Sequence, residues 1–228
     1  MEDKLKFNKA YKAIILLMFI TITISLYEFL TALKNLNVNG NIFDFCSGAV
    51  EYIPYFMIFL LVLFIALPFA LILFKENNIS IKDAIYNKKT LFKDILIGII
   101  LGIISAGVAY PFSLMREFAS SYEHIVTYNE GITTYILGIF SLSIVCGCLK
   151  ELYFRGFAKY FLADSLGEKL SYIMTAILFG IVDWQNMGSS ILLGLLWAWA
   201  YKKSGKLIVP MVAHGMINLI GLVWMIIF

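Results

Sequence analysis

The chain has 228 residues, of which 61% are hydrophobic and 14% charged, with a net charge of +3 and a mean hydropathy of +0.86. An ordinary soluble domain carries about 25% charged residues, so this composition excludes a soluble globular protein. Apolar runs of about 20 residues, the length that crosses ~30 Å of hydrocarbon, recur along the chain and leave no room for a separate soluble domain.

In chain order these runs are 12–33, 53–74, 94–115, 132–154, 170–186, 189–202 and 207–228. A lipid-exposed backbone must satisfy its own hydrogen bonds, so all are expected to be helical. The expected fold is an all-α, polytopic transmembrane bundle of about seven spans. Lys and Arg collect in cytoplasmic loops during insertion. Lys4, Lys6, Lys9 and Lys12 precede the first span, and Lys75, Lys82, Lys88, Lys89 and Lys93 follow the second. Arg155, Lys159 and Lys169 follow the fourth, and Lys202, Lys203 and Lys206 the sixth. Only Lys34 and Arg116 fall at the intervening loops, so the N-terminus is expected in the cytoplasm. The chain divides into N-terminal helices with a cytoplasmic loop, 1–91, and a second helical region, 92–228.

Loops 34–52 and 117–131 are acid-biased and expected outside, and segment 156–169 reads as an interfacial connection. Gly98-x-x-x-Gly102 is a small-residue spacing that lets two helix backbones approach closely, and Pro68 is placed to kink its helix. The four Trp and 13 Tyr mostly suit an interfacial aromatic belt. Cys46, Cys146 and Cys148 cannot make a disulfide framework and read as packing residues. His124, in an outside loop among acids, is assigned no role.

Charged side chains inside a span cost roughly 2.5–3.5 kcal/mol each even on the lenient insertion scale, so they pair or line a wet cavity. Three stretches qualify: Lys150-Glu151-Leu-Tyr-Phe-Arg155-Gly156, then Phe179-Gly-Ile-Val-Asp183, then His214-Gly-Met-Ile-Asn218. Glu151 and Arg155 are four apart on one helical face, where the guanidinium can hold the carboxylate charged and aimed. His214 and Asn218 are likewise four apart, so that the carboxamide can orient the imidazole or bind a polarised carbonyl oxygen. At ~1.5 Å per residue, Glu151 and His214 lie at similar depths on the cytoplasmic side, whereas Asp183 sits nearer ~20 Å deep.

Together the three stretches resemble the CPBP family of intramembrane metalloproteases, which includes the type II CAAX prenyl endopeptidases and proteins of bacteriocin self-immunity. The family pattern is Glu-Glu-x-x-x-Arg, Phe-x-x-x-His and His-x-x-x-Asn or Asp on successive helices. Glu151, Arg155, Gly156, Phe179, His214 and Asn218 match it, and the resemblance covers residues 92–228. By that resemblance Glu151, Arg155, His214 and Asn218 occupy the catalytic positions. Two positions depart: Lys150 stands where the family has the Glu that activates a metal-bound water, and Asp183 where it has a site histidine. An ammonium repels a divalent ion and, while it holds its proton, takes none from water.

Two functions follow as expectations. In the first, Lys150 and Asp183 form a buried ion pair, no metal cofactor is needed, and the chain is a catalytically impaired membrane binding or regulatory protein. Its setting would be bacteriocin self-immunity or cell-envelope control, with a membrane protein or peptide as partner. In the alternative, Glu151, Asp183 and His214 hold zinc with water as fourth ligand, and Lys150 snorkels to the interface. The chain is then an active metalloendopeptidase cutting a peptide or CAAX-type substrate near the cytoplasmic face. Either way the setting is the lipid bilayer of a cell (plasma) membrane, multi-pass, with no nucleic-acid partner. Ile-, Lys- and Asn-rich usage suits a bacterial source.

Overall fold

A computed structural model describes residues 2–35, 55–114, 145, 147–183 and 186–227. Every regular element among them is helical. Helix α1 is Glu2–Asn35, α2 Tyr55–Glu76, α3 the single turn and a half Ile81–Ile85, and α4 Leu91–Leu114. Helix α5 spans 147–166: it opens as Gly147–Glu151, widens into two π-helical stretches, Leu152–Gly156 and Ala158–Leu162, and closes as Ala163–Leu166. Then come α6, Glu168–Val182, α7, Met187–Ser204, and α8, Ile208–Ile227. The expected spans within 12–33, 53–74, 94–115, 170–186, 189–202 and 207–228 each fall on one of these helices. Of 132–154 only 145 and the part from 147 onward are described; residues 36–54 and 115–144, which take in most of the expected loop 34–52 and all of 117–131, lie outside the described residues, as do Cys46, His124 and Cys146.

Two helical stretches among the described residues, Phe7–Leu26 and Leu91–Pro111, are long and apolar enough to cross a membrane. Their outward faces carry large apolar side chains, such as Ile15, Phe19 and Ile22 on α1 and Ile97, Ile100 and Ile104 on α4. In water such faces would be a liability; in lipid they are the ordinary outer surface.

The segment expected as an interfacial connection is instead helix. Phe157, Ala158, Phe161 and Leu162 are fully buried, at the i, i+1, i+4, i+5 spacing of one helical face. Arg155 and Lys159 mask that stripe in the sequence. Phe74 of α2 packs on Phe157, Tyr160 and Phe161 with ring centroids 6.2, 5.8 and 5.0 Å apart. The helix stops at Gly167, whose φ of 80° suits a residue without Cβ. Nearby, Tyr153 Oη donates to the Leu63 carbonyl at 2.7 Å, one residue before the Phe64 carbonyl that Pro68 cannot bond.

Polar contacts gather the helix ends that carry the lysines. Lys9 of α1 pairs with Asp164 at the end of α5, Lys12 with Glu76 at the end of α2, and Lys202 of α7 with Glu168 at the start of α6. Lys206 Nζ donates to the Asp83 carbonyl, and Leu207 N to the Ala84 carbonyl at 3.0 Å, tying α3 to the turn before α8. These ends share one side of the bundle. One buried core runs from Ala10 and Leu17 of α1 to Ala213 of α8, across the 91/92 division.

The aromatic belt is only part of the aromatic story. Trp197, Tyr153 and Tyr201 are buried in the core, whereas Trp199 is exposed.

Helix α4 lies along α8, and the glycine pair explains how closely. A Cβ on Gly98 would stand 2.7 Å from Val212 Cβ, and one on Gly102 would stand 2.5 Å from Met216 Cβ and 2.9 Å from the Ala213 carbonyl. Gly107, five residues on and on a different face, has open space around it. Gly102→Ala is therefore expected to destabilise the bundle by about 1–3 kcal/mol through overpacking, and Gly107→Ala to be neutral or mildly stabilising. Thermal unfolding in detergent, followed by tryptophan fluorescence, separates the two.

Candidate functional site

The site forms where α5, α6, α7 and α8 meet. Its chain-local cause is the i, i+4 register of Glu151 and Arg155, which survives the widening of α5. Arg155 Nε lies 3.1 Å from Glu151 Oε2, and the other carboxylate oxygen, Oε1, is 2.8 Å from His214 Nδ1. Glu151 is 0% exposed, Arg155 1% and His214 5%. Two oppositely charged groups and an imidazole thus sit in the driest part of the bundle, where none is affordable alone.

Aromatic rings wall the trio. The Arg155 guanidinium carbon is 4.4 Å from the Phe179 ring centroid and 5.5 Å from that of Trp197. A desolvated guanidinium on a ring face gains roughly 2 kcal/mol. That contact matters because the geometry to Glu151 Oε2 is an ion pair without good hydrogen-bond angles, so that oxygen and both Nη atoms have no hydrogen-bond partner among the described residues. Gly194 of α7 gives the guanidinium room: a Cβ there would stand 3.2 Å from Nη2. The His214 ring lies against Trp197, centroids 4.7 Å apart and planes 33° from parallel, and meets Phe179 edge-on at 5.6 Å.

Of the residues expected at the site, Glu151, Arg155, Phe179 and His214 come together. Asn218 is one turn beyond His214 on α8 and half-buried. Lys150 Nζ is 5.4 Å from the Phe179 ring centroid, on the ring that also carries Arg155. Asp183 closes α6, where its carboxylate accepts from Ser190 Oγ at 2.6 Å and Asn186 Nδ2 at 3.4 Å across the turn into α7. The depth separating Asp183 from the other two acquires a local meaning, since the carboxylate serves the α6–α7 corner.

The donor set bears on zinc. A catalytic zinc takes three protein ligands, and among the described residues no group of three or more His, Cys, Asp or Glu side chains is close enough to hold an ion. Glu151 spends one oxygen on the imidazole and faces a guanidinium with the other. The residues described do not fit the metal.

Sequence motifs missed Trp197 and Ser105. Trp197 Nε1 donates to Ser105 Oγ of α4 at 2.9 Å, with both residues buried. Within Leu-Leu-Trp-Ala-Trp-Ala nothing distinguishes Trp197 from a belt residue except its spacing. It stands three residues after Gly194 and two before the exposed Trp199, on the opposite side of the helix.

Residues 132–220 match the family described as Type II CAAX prenyl endopeptidase Rce1-like. The resemblance to that family is thereby borne out over that region. No curated protein and no solved structure matches the chain.

Removing Arg155 while keeping Glu151 leaves a buried carboxylate short of its charge partner, a change that costs about 3–5 kcal/mol. Arg155→Met is expected to destabilise by that amount, and Arg155→Lys to rescue it poorly because the ammonium cannot lie flat on Phe179. Glu151→Leu combined with Arg155→Met is expected to be more stable than Arg155→Met alone. Denaturation by SDS titration of the three variants measures this coupling.

Proposed function

We propose that this chain, whose C-terminal region matches the CAAX prenyl endopeptidase family, is a multi-pass membrane protein that has kept the family's helical core as a binding scaffold without its hydrolytic chemistry. The observation that carries it is the engagement of Glu151: one oxygen is taken by His214 and the other faces Arg155. Lys150, at the position of the family's base, adds a second cation beside Phe179. A carboxylate so engaged, between a guanidinium and an imidazole and next to an ammonium, is a poor generator of hydroxide from water. Asp183 supports the same conclusion, since its bonds to Asn186 and Ser190 make it a corner residue.

The fitting partner is a membrane peptide or membrane protein. The cluster is buried among helices whose outer faces are apolar, so what reaches it travels in the bilayer plane or from the adjoining cytoplasmic surface. A plasma-membrane location in a bacterium, with the lysine-bearing ends of the bundle facing the cytoplasm, agrees with the charge distribution. Bacteriocin self-immunity and cell-envelope control are the roles in which such a scaffold acts by binding.

The test is a cellular phenotype of a deletion strain, complemented by Glu151→Gln and His214→Gln. Complementation by Glu151→Gln at normal protein level is the expected result, with His214→Gln weakening complementation but accumulating no uncleaved membrane substrate. Loss of complementation by both, with accumulation of an uncleaved membrane substrate, would show an active endopeptidase instead.

A further inference from the structure

His214 is the most open member of the charged trio, and its orientation is set from three sides. Glu151 engages Nδ1, Phe179 meets the ring edge, and Trp197 covers the face. A carboxylate paired with a guanidinium accepts hydrogen bonds and cannot donate, so the imidazole hydrogen belongs on Nδ1 and the free lone pair of the neutral ring on Nε2. No hydrogen bond engages Nε2 among the described residues. The bond to Glu151 fixes Nδ1, and the indole packed on the ring face, itself held by its bond to Ser105 on a different helix, adds to the hold against rotation about Cβ–Cγ.

We propose that Trp197, fixed by Ser105, is a positioning residue that aims His214 Nε2 as the acceptor of the site, so that the group received there is a hydrogen-bond donor such as a peptide amide. The identity of that group rests on the binding function proposed above; the positioning does not, because an aimed imidazole serves binding and proton transfer alike. Trp197 bridges α4, α7 and α8 in one contact chain, from Ser105 through the indole to His214. None of the family motif positions includes either residue. Filling space would require only an apolar side chain at 197; aiming requires the indole N–H and a hydroxyl at 105.

The chain has two histidines, so a His124→Asn background leaves His214 as the sole signal in the full-length protein labelled with 15N-histidine and held in lipid nanodiscs. At mildly alkaline pH the parent is expected to show two widely separated ring resonances, a protonated Nδ1 and a bare Nε2. Trp197→Phe and Ser105→Ala are each expected to draw these resonances together or broaden them as the ring samples other orientations and tautomers. Addition of a membrane peptide rich in amide donors is expected to shift the Nε2 resonance of the parent and not that of Trp197→Phe. Unchanged resonances in both variants would overturn the positioning role, and so would a parent that already shows averaged resonances. A change in Trp197→Phe without one in Ser105→Ala would overturn the part assigned to Ser105. If Trp197→Phe fails to fold, Ser105→Ala decides, because it keeps the indole. A peptide that leaves Nε2 of the parent unmoved, with the variant effects intact, would overturn the donor assignment while leaving the positioning in place; the binding function itself is decided by the complementation test.

Discussion

A single buried carboxylate organises this molecule. Glu151 is fully removed from solvent, and everything around it follows from the need to balance its charge in a low-dielectric interior. Arg155 supplies the opposite charge from one turn along α5, and His214 supplies a hydrogen bond from α8. The aromatic faces of Phe179 and Trp197 then accommodate the cation that balances the carboxylate. Four helices therefore converge on a group that none could bury alone. Close helix approach makes this possible: Gly98 and Gly102 bring α4 against α8, and Gly194 leaves space on α7 for the guanidinium.

The same balance bears on what chemistry the site can perform. A metal-bound water is activated where carboxylate and imidazole ligands converge on one cation with an open position. Here carboxylate and imidazole engage each other, with the Arg155 guanidinium on the second carboxylate oxygen and Lys150 Nζ over the Phe179 ring. By the family resemblance, Lys150 stands at the position of a Glu and Asp183 at that of a His. The first adds positive charge beside the trio, and the second places its carboxylate on the α6–α7 turn with Ser190 and Asn186. The described residues form a polar cluster in an apolar frame, which suits the binding role proposed above.

Much of the architecture was legible because the bilayer imposes simple rules. Long apolar runs had to be helices, and the basic residues sorted to alternate connections; the ion pairs Lys9–Asp164, Lys12–Glu76 and Lys202–Glu168 lie at the corresponding helix ends. Glu151–Arg155 was legible from spacing alone, and the meeting of Glu151 with His214 from their expected place on the same, cytoplasmic side. Three things were hidden. The continuation of α5 through Phe157 and Phe161 was obscured by Arg155 and Lys159, whose charges mimic a helix end in the sequence. The local partners of Asp183 depend on how a corner folds, which residue spacing does not encode. The Trp197–Ser105 bond joins positions 92 residues apart, and a contact between distant helices leaves no periodic trace in either.

The most direct test is the metal content of the full-length protein purified without chelators and exchanged against zinc-containing and then zinc-free buffer. A charge cluster closed on itself by Arg155 and His214 predicts no stoichiometric zinc, and the same result for His214→Ala. About one zinc per chain in the parent, lost in His214→Ala, would contradict it.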